Sequence, residues 1–149
     1  MEHIQRGVLL LVGVMLLACS TPPQADSGAP VADNWQVELS VSGGIAGMAR
    51  YLALDQQGNL RVTDRRSKQH RERQLSAAAI RPVTDAIQAL ERIPDANKIT
   101  HISSRCADCM YFELAIRRGA SRVYYSADSL SLSDSPQGDL VKRLLNLMN

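Results

Sequence analysis

Residues 35–47 read WQVELSVSGGIAG, and the rest of the fold can be predicted outward from them. Val37, Leu39 and Val41 alternate with polar residues, which is the period of a β-strand with one buried face. Three glycines then break the alternation, and an extended pattern resumes over residues 48–54. The stretch therefore predicts a β-hairpin whose two strands are joined by a glycine-rich loop.

The chain after this hairpin predicts three further strands. A turn at Gly58 leads into a strand at residues 60–63, and the polar, charged tract 64–74 follows it. A second turn separates residues 110–117 from residues 122–126, both of which have the pattern of a strand. These two runs predict a second hairpin late in the chain.

Two helices are predicted from apolar residues that recur every three or four positions. Ser76 is a good N-cap for the first of them. Pro82 lies inside the first helix and has no N–H to donate, so it predicts either a kink or a late helix start near Arg81. The apolar stripe of the first helix consists of Ile80, Val83, Ile87 and Leu90, and that of the second of Leu140, Val141, Leu144 and Leu147.

Residues 35–149 are therefore predicted to form one α+β domain, an antiparallel sheet of about four to five strands packed on one face by two helices. A chain of 149 residues is long enough for one such domain and an appendage. Lys and Arg number 17 against 15 Asp and Glu, a net charge of +2. Nucleic-acid binding usually needs a strongly basic surface, so no nucleic-acid partner is predicted.

The N-terminal segment has the features of a bacterial lipoprotein signal. Arg6 precedes an apolar run, residues 8–17, that is too short to cross a bilayer, so residues 1–18 are predicted to be a cleaved signal. Residues 16–19 read LLAC and resemble a lipobox, which implies that Cys19 is lipidated and anchors the protein in a membrane. Residues 19–34 then form a flexible linker rich in Pro, Ser and Ala. Ser20 favours the outer membrane of the cell envelope by resemblance to lipoprotein sorting rules.

No pattern of catalytic residues is apparent. The chain after the signal has two histidines, His70 and His101, and neither belongs to a His-Glu-x-x-His motif. The sequence also lacks a Gly-x-Ser-x-Gly elbow and a Walker-type phosphate loop. We therefore predict a protein that is not an enzyme and needs no cofactor.

Cys106 and Cys109 are the two cysteines left once Cys19 carries lipid. An exported protein meets an oxidising compartment, so a local disulfide is the simplest prediction for this pair. A redox-active pair would need a lowered thiolate pKa, and a zinc site would have to recruit His70 and His101; both alternatives are weaker, and no metal is predicted.

Two sequence features suggest places where a partner could bind. The first is the glycine-rich loop, whose glycines either accommodate positive φ or let the backbone lie against a partner while Ile45 fills an apolar pocket; a third alternative places Ile45 in the core. The second is the basic tract 65–73, which is either a solvated edge or a patch for an acidic protein or lipid phosphates. The candidate binding loop consists of Ser42, Gly43, Gly44, Ile45, Ala46 and Gly47.

The loop and its surroundings resemble the emfourin-like inhibitors of thermolysin-like metalloproteases. The resemblance lies in the motif Ser-Gly-Gly-Ile-Ala-Gly at residues 42–47, the basic Arg50, the turn at Gly58, and a helix that Leu75 and Ser76 open. A late hairpin and a final short helix follow in the same order. The resemblance implies an α+β domain that inhibits a protease and has a thermolysin-like metalloprotease as its partner.

Three functions are compatible with these features. The leading hypothesis is a membrane-tethered lipoprotein that inhibits or binds thermolysin-like metalloproteases. The alternative is a non-catalytic envelope lipoprotein with a structural or assembly role. A redox or metal module built on Cys106 and Cys109 is the third hypothesis.

Overall fold

The protein is described from a computed structural model, which covers residues 34–91, 106–132 and 135–149. The predicted signal, Cys19 and nearly all of the linker lie outside these residues, as does His101. In chain order the elements are β1 (Trp35–Gly43), β2 (Met48–Asp55), β3 (Asn59–Asp64), β4 (Gln69–Gln74), α1 (Ala77–Glu91), β5 (Met110–Arg118), β6 (Ser121–Asp128) and α2 (Pro136–Met148).

The strands form one six-stranded sheet in the order β4-β3-β2-β1-β5-β6, and every neighbouring pair is antiparallel. The strand predicted from residues 35–47 lies inside this sheet and pairs along its length with both β2 and β5. Leu39, for example, lies opposite Leu52 on one side and Leu114 on the other. β1 pairs with β2 in the first hairpin and with β5 of the second hairpin. Its register therefore sets the position of both hairpin loops along the sheet.

The core lies between one face of the sheet and the two helices. Alternate strand residues point into it, which is why β1 shows a strict alternation of buried and half-buried positions. The opposite face carries mostly polar side chains, such as Glu38 and Ser40 on β1. The helix residues in the core are Val83, Ile87 and Leu90 of α1 and Leu140, Val141, Leu144 and Met148 of α2.

The predicted α+β class, with two helices on one face of an antiparallel sheet, is confirmed. The sheet has six strands where about four to five are predicted, because the tract 64–74 carries no pattern that predicts β4. All six residues of β4 are exposed, so this edge strand lacks the buried alternation that marks a strand in sequence. It forms because its backbone pairs with β3, with Arg71 opposite Val62.

The first helix begins ahead of its proline. Ser76 caps it as predicted, since its Oγ accepts a hydrogen bond of 3.3 Å from the Ala79 N–H. The helix starts at Ala77 and continues through Pro82, so the predicted late start near Arg81 is wrong. The proline costs a backbone hydrogen bond, and the burial of the apolar stripe that follows it offsets this loss.

Arginines of β4 bind the C-terminal end of α2. The Arg73 guanidinium donates to the Leu147 carbonyl at 2.8 Å, and the Arg71 guanidinium donates to the Met148 carbonyl at 2.6 Å. The last carbonyls of a helix have no partner within the helix and carry the negative end of its dipole. These two arginines therefore fasten α2 to the sheet edge and satisfy carbonyls that the helix leaves open.

No helix within the described parts of the chain is long and apolar enough to cross a membrane.

We predict that Arg71→Met lowers the free energy of unfolding by about 1 kcal/mol, because it removes charge-assisted hydrogen bonds to the end of α2. Arg81→Met, on the exposed surface of α1, is the matched control and should change stability by less than about 0.5 kcal/mol. Urea unfolding of both variants measures the difference. Equal stability of the two would show that the arginine contacts do not hold α2.

Candidate functional site

Four segments meet at one end of the sheet. They are the β1–β2 loop (residues 44–47), the β3–β4 turn (65–68), the cysteine segment (106–109) and the start of the β6–α2 connection (129–132), and we call them together the tip. Strand register places them there, because Gly43 lies opposite both Met48 and Met110. Trp35, where β1 begins, lies at the other end of the sheet.

The β1–β2 loop is a tight turn. The Gly47 N–H donates to the Gly44 carbonyl at 2.9 Å, which leaves Ile45 and Ala46 at the two central positions of the turn. Three glycines of the loop have positive φ, 94° at Gly43, 72° at Gly44 and 60° at Gly47. Their conformation explains why the sequence has glycine at these positions.

The loop is fastened to the cysteine segment by a backbone hydrogen bond. The Gly44 N–H donates to the Cys109 carbonyl at 3.0 Å. A Cβ atom on Gly43 would lie 2.4 Å from the same carbonyl oxygen, closer than any side chain can come. One interpretation of the sequence is that the glycines let the loop backbone lie close to a partner. At Gly43 the backbone instead lies close to the Cys109 carbonyl of the same chain.

The β3–β4 turn holds the loop from its other side. The Arg66 guanidinium donates to the carbonyl of Ala46. The turn is itself ordered by Asp64, whose carboxylate accepts from the backbone N–H groups of Arg66 at 2.9 Å and Ser67 at 3.0 Å. The central part of the β1–β2 loop is thus tied to its neighbours on both sides.

The Ser67 N–H is the largest cause that lowers the pKa of Asp64 below its usual value, and the Arg66 N–H and Arg50 act in the same direction. Because the folded-state pKa is lowered, the ionised carboxylate stabilises the turn at neutral pH. This stabilisation is lost as the pH falls through the folded-state pKa, so the support of the loop weakens in acid.

Ile45 projects from this turn into solvent. Its side chain is 90% exposed, which excludes the alternative that it belongs to the core. The backbone below this exposed side chain is held by hydrogen bonds to Cys109 and Arg66. The predicted binding loop therefore presents one apolar side chain on a fixed backbone.

Cys106 and Cys109 are joined by a disulfide in the structure, with their Cα atoms 5.3 Å apart. Cys109 is only 3% exposed and lies beside the glycine loop. His70, which the zinc alternative would recruit, lies on β4, and β3, β2 and β1 separate it from the strand that follows the cysteines. In the described part of the chain, no group of three or more His, Cys, Asp and Glu side chains could hold a metal ion.

The basic tract 65–73 does not form a single patch. Arg71 and Arg73 bind the end of α2. Arg66 binds the β1–β2 loop, and the Arg65 guanidinium stacks over the ring of Tyr51 at 5.8 Å. Lys68 lies exposed in the β3–β4 turn. Arg66, Arg71 and Arg73 thus have structural roles. The charged residues of the β3–β4 turn remain exposed at the tip.

Comparison with models of known protein families finds no match to this chain, and comparison with curated proteins finds none either.

Gly43→Ala is predicted to lower the free energy of unfolding by at least about 2 kcal/mol, because the new Cβ would displace the Cys109 carbonyl and Gly43 has positive φ. Gly119→Ala is the matched control: Gly119 also has positive φ, but nothing lies within 4 Å of a Cβ there. It should cost only about 1 kcal/mol. Chemical denaturation compares them, and equal losses would contradict the close approach.

We predict that neither Cys106 nor Cys109 can be alkylated in the native protein until a reductant is added. The ring that the disulfide closes is short, so reduction should cost only about 1–2 kcal/mol of stability. Mass spectrometry after alkylation with and without reductant measures the thiols. Two free thiols, or a stoichiometric bound metal, would reject the disulfide.

Proposed function

We propose that this protein is a membrane-tethered lipoprotein that binds and inhibits thermolysin-like metalloproteases through the loop of residues 42–47, with Ile45 as its anchor. The observation that carries the proposal is the exposed Ile45 side chain on a loop whose backbone is tied to Cys109 and Arg66. The resemblance of residues 42–47 to emfourin-like inhibitors supports the choice of partner.

The backbone of the β1–β2 loop is already held by hydrogen bonds in the free protein. This favours binding, because few residues lose conformational entropy when the complex forms. Fixing the backbone of a flexible residue costs about 1–2 kcal/mol, and a free loop containing three glycines would lose this on docking. Here folding has already fixed the turn, so this ordering cost does not reduce the free energy of binding. Burial of an aliphatic side chain of this size contributes about 1.5–3 kcal/mol.

The turn geometry also supports inhibition over cleavage. A thermolysin-like protease binds its substrate as an extended chain, with an apolar side chain in a pocket beside the zinc. The hydrogen bond from the Gly47 N–H to the Gly44 carbonyl holds the loop as a compact turn. Such a turn can fill the apolar pocket with Ile45 without laying an extended peptide bond across the catalytic centre.

Lipidation at Cys19 would attach the membrane anchor to the end of the domain opposite the tip. The linker enters the domain at Trp35, and the tip lies at the opposite end of β1. Nine strand residues at about 3.3 Å each separate the two ends by about 30 Å. A protein tethered in this way leaves its tip accessible to soluble proteases of the envelope or the surroundings.

Ile45→Asp should raise the inhibition constant against a thermolysin-like protease by about 100-fold or more, because it places a charge in a dry pocket. Ile45→Leu should retain inhibition. Tyr124→Asp is the matched control, since Tyr124 is also an exposed large side chain (53%) but lies on the open face of β6. Thermal melts should change little for these surface variants.

Two results would contradict the proposal. Absence of inhibition by the wild type would remove the protease from its proposed partners and favour the alternative of a structural envelope lipoprotein. Equal inhibition by wild type and Ile45→Asp would place the binding site elsewhere. Gel analysis after the incubation shows whether the inhibitor stays intact, as the turn geometry requires.

A further inference from the structure

We infer that Leu130 is a second apolar anchor of the same binding surface, and that the partner is a cleft with two apolar pockets and an acidic rim. This inference rests on the proposed function and extends it. Leu130 lies just after β6, and its side chain is 69% exposed. Of the three large hydrophobic side chains that are exposed among the described residues, Ile45 and Leu130 lie at the tip, and Tyr124 lies on the open face of the sheet.

A buried carboxylate holds Leu130 in place. Asp128 has no exposed surface, and its Oδ1 accepts hydrogen bonds from the N–H groups of Leu130 at 3.0 Å and Ser131 at 2.7 Å. The Ser131 Oγ in turn accepts from the Asp128 N–H at 2.9 Å. The polar groups of this turn face inward, and Leu130 is left pointing outward on a backbone as well held as that of Ile45.

The two loops that carry the apolar side chains are both hydrogen-bonded to one short segment of the chain. The Cys109 carbonyl accepts from Gly44 on the β1 side, and the next carbonyl, that of Met110, accepts from the Ser129 N–H at 2.9 Å on the β6 side. Successive carbonyls of a strand point to opposite neighbours, so the segment holds both loops at once. The β1–β2 loop and the end of β6 are about two strand spacings apart, roughly 10 Å.

This spacing fits a cleft that binds an extended chain. An extended peptide places alternate side chains on one face, about 7 Å apart, so two loops roughly 10 Å apart can direct Ile45 and Leu130 into pockets that would otherwise take side chains two or four positions apart. The cysteine segment lies between the two loops, so we assign each side chain a pocket of its own. A protease cleft with several pockets along one groove has the required form.

The charges at the tip indicate which charge the rim of the partner's cleft carries. Arg65, Arg66 and Lys68 belong to the β3–β4 turn and are exposed, whereas Asp108 is the exposed acid of the cysteine segment. An excess of positive charge on the Ile45 side of the tip complements an apolar groove whose acidic residues lie at that edge. The association should therefore weaken as the salt concentration rises.

The test compares Leu130→Asp, Leu130→Ser and Leu130→Met in the inhibition assay, with Tyr124→Asp as the control. Leu130→Asp is expected to raise the inhibition constant by about 10- to 100-fold, Leu130→Ser by less, and Leu130→Met should stay near wild type. The wild-type inhibition constant should rise between 50 and 500 mM NaCl. Leu130→Ser avoids a new charge and covers the case in which Leu130→Asp fails to fold.

The outcomes separate the two proposals. Inhibition by the wild type that Leu130→Asp and Leu130→Ser leave unchanged overturns the second anchor and leaves the proposed function intact. Absence of wild-type inhibition overturns both. A membrane role is tested on the full chain carrying Cys19→Ala, with vesicles of phosphatidylglycerol and phosphatidylethanolamine. If Leu130→Asp abolishes vesicle binding and leaves inhibition unchanged, the tip contacts lipid and the inference is wrong.

Discussion

The hydrogen bond from the Gly44 N–H to the Cys109 carbonyl is the contact on which the arrangement of the tip depends. It continues the β1–β5 ladder by one step, so the loop starts where the sheet determines. Glycine at position 43 makes the contact accessible, because any Cβ there would collide with that carbonyl. The disulfide closes the segment that carries the acceptor, and the next carbonyl along the chain holds the connection after β6.

Stability and binding use different parts of the molecule. The core lies between one sheet face and the helices, and Arg71 and Arg73 secure the end of α2 with charge that could otherwise serve a partner. The tip is held by backbone hydrogen bonds and by the short contacts of Asp64 and Asp128, and its side chains Ile45 and Leu130 are exposed outside the core. Substitutions of these two exposed side chains should therefore cost little folding stability.

Much of the fold could be predicted from the sequence because burial leaves a periodic pattern, as at Val37, Leu39 and Val41. Strand β4 could not, since an exposed edge strand is defined by its pairing with β3 alone. In the candidate site, the glycines and Ile45 were visible as an interrupted strand. The role of Cys109 was not, because it depends on a contact between segments far apart in sequence. Leu130 was not, because the turn at Asp128 that exposes it leaves no periodic pattern.

Hydrogen exchange of the full-length protein, alone and with an excess of a thermolysin-like protease, tests the central claim most directly. In the free protein the Gly44 and Gly47 amides should exchange slowly, because both donate hydrogen bonds. With the protease, exchange should slow further in residues 42–47 and 129–131, and stay unchanged around Gly58 and Gly119 at the other end of the sheet. Fast exchange of the free loop, or a footprint confined to the opposite end or the open face, would contradict a preformed binding tip.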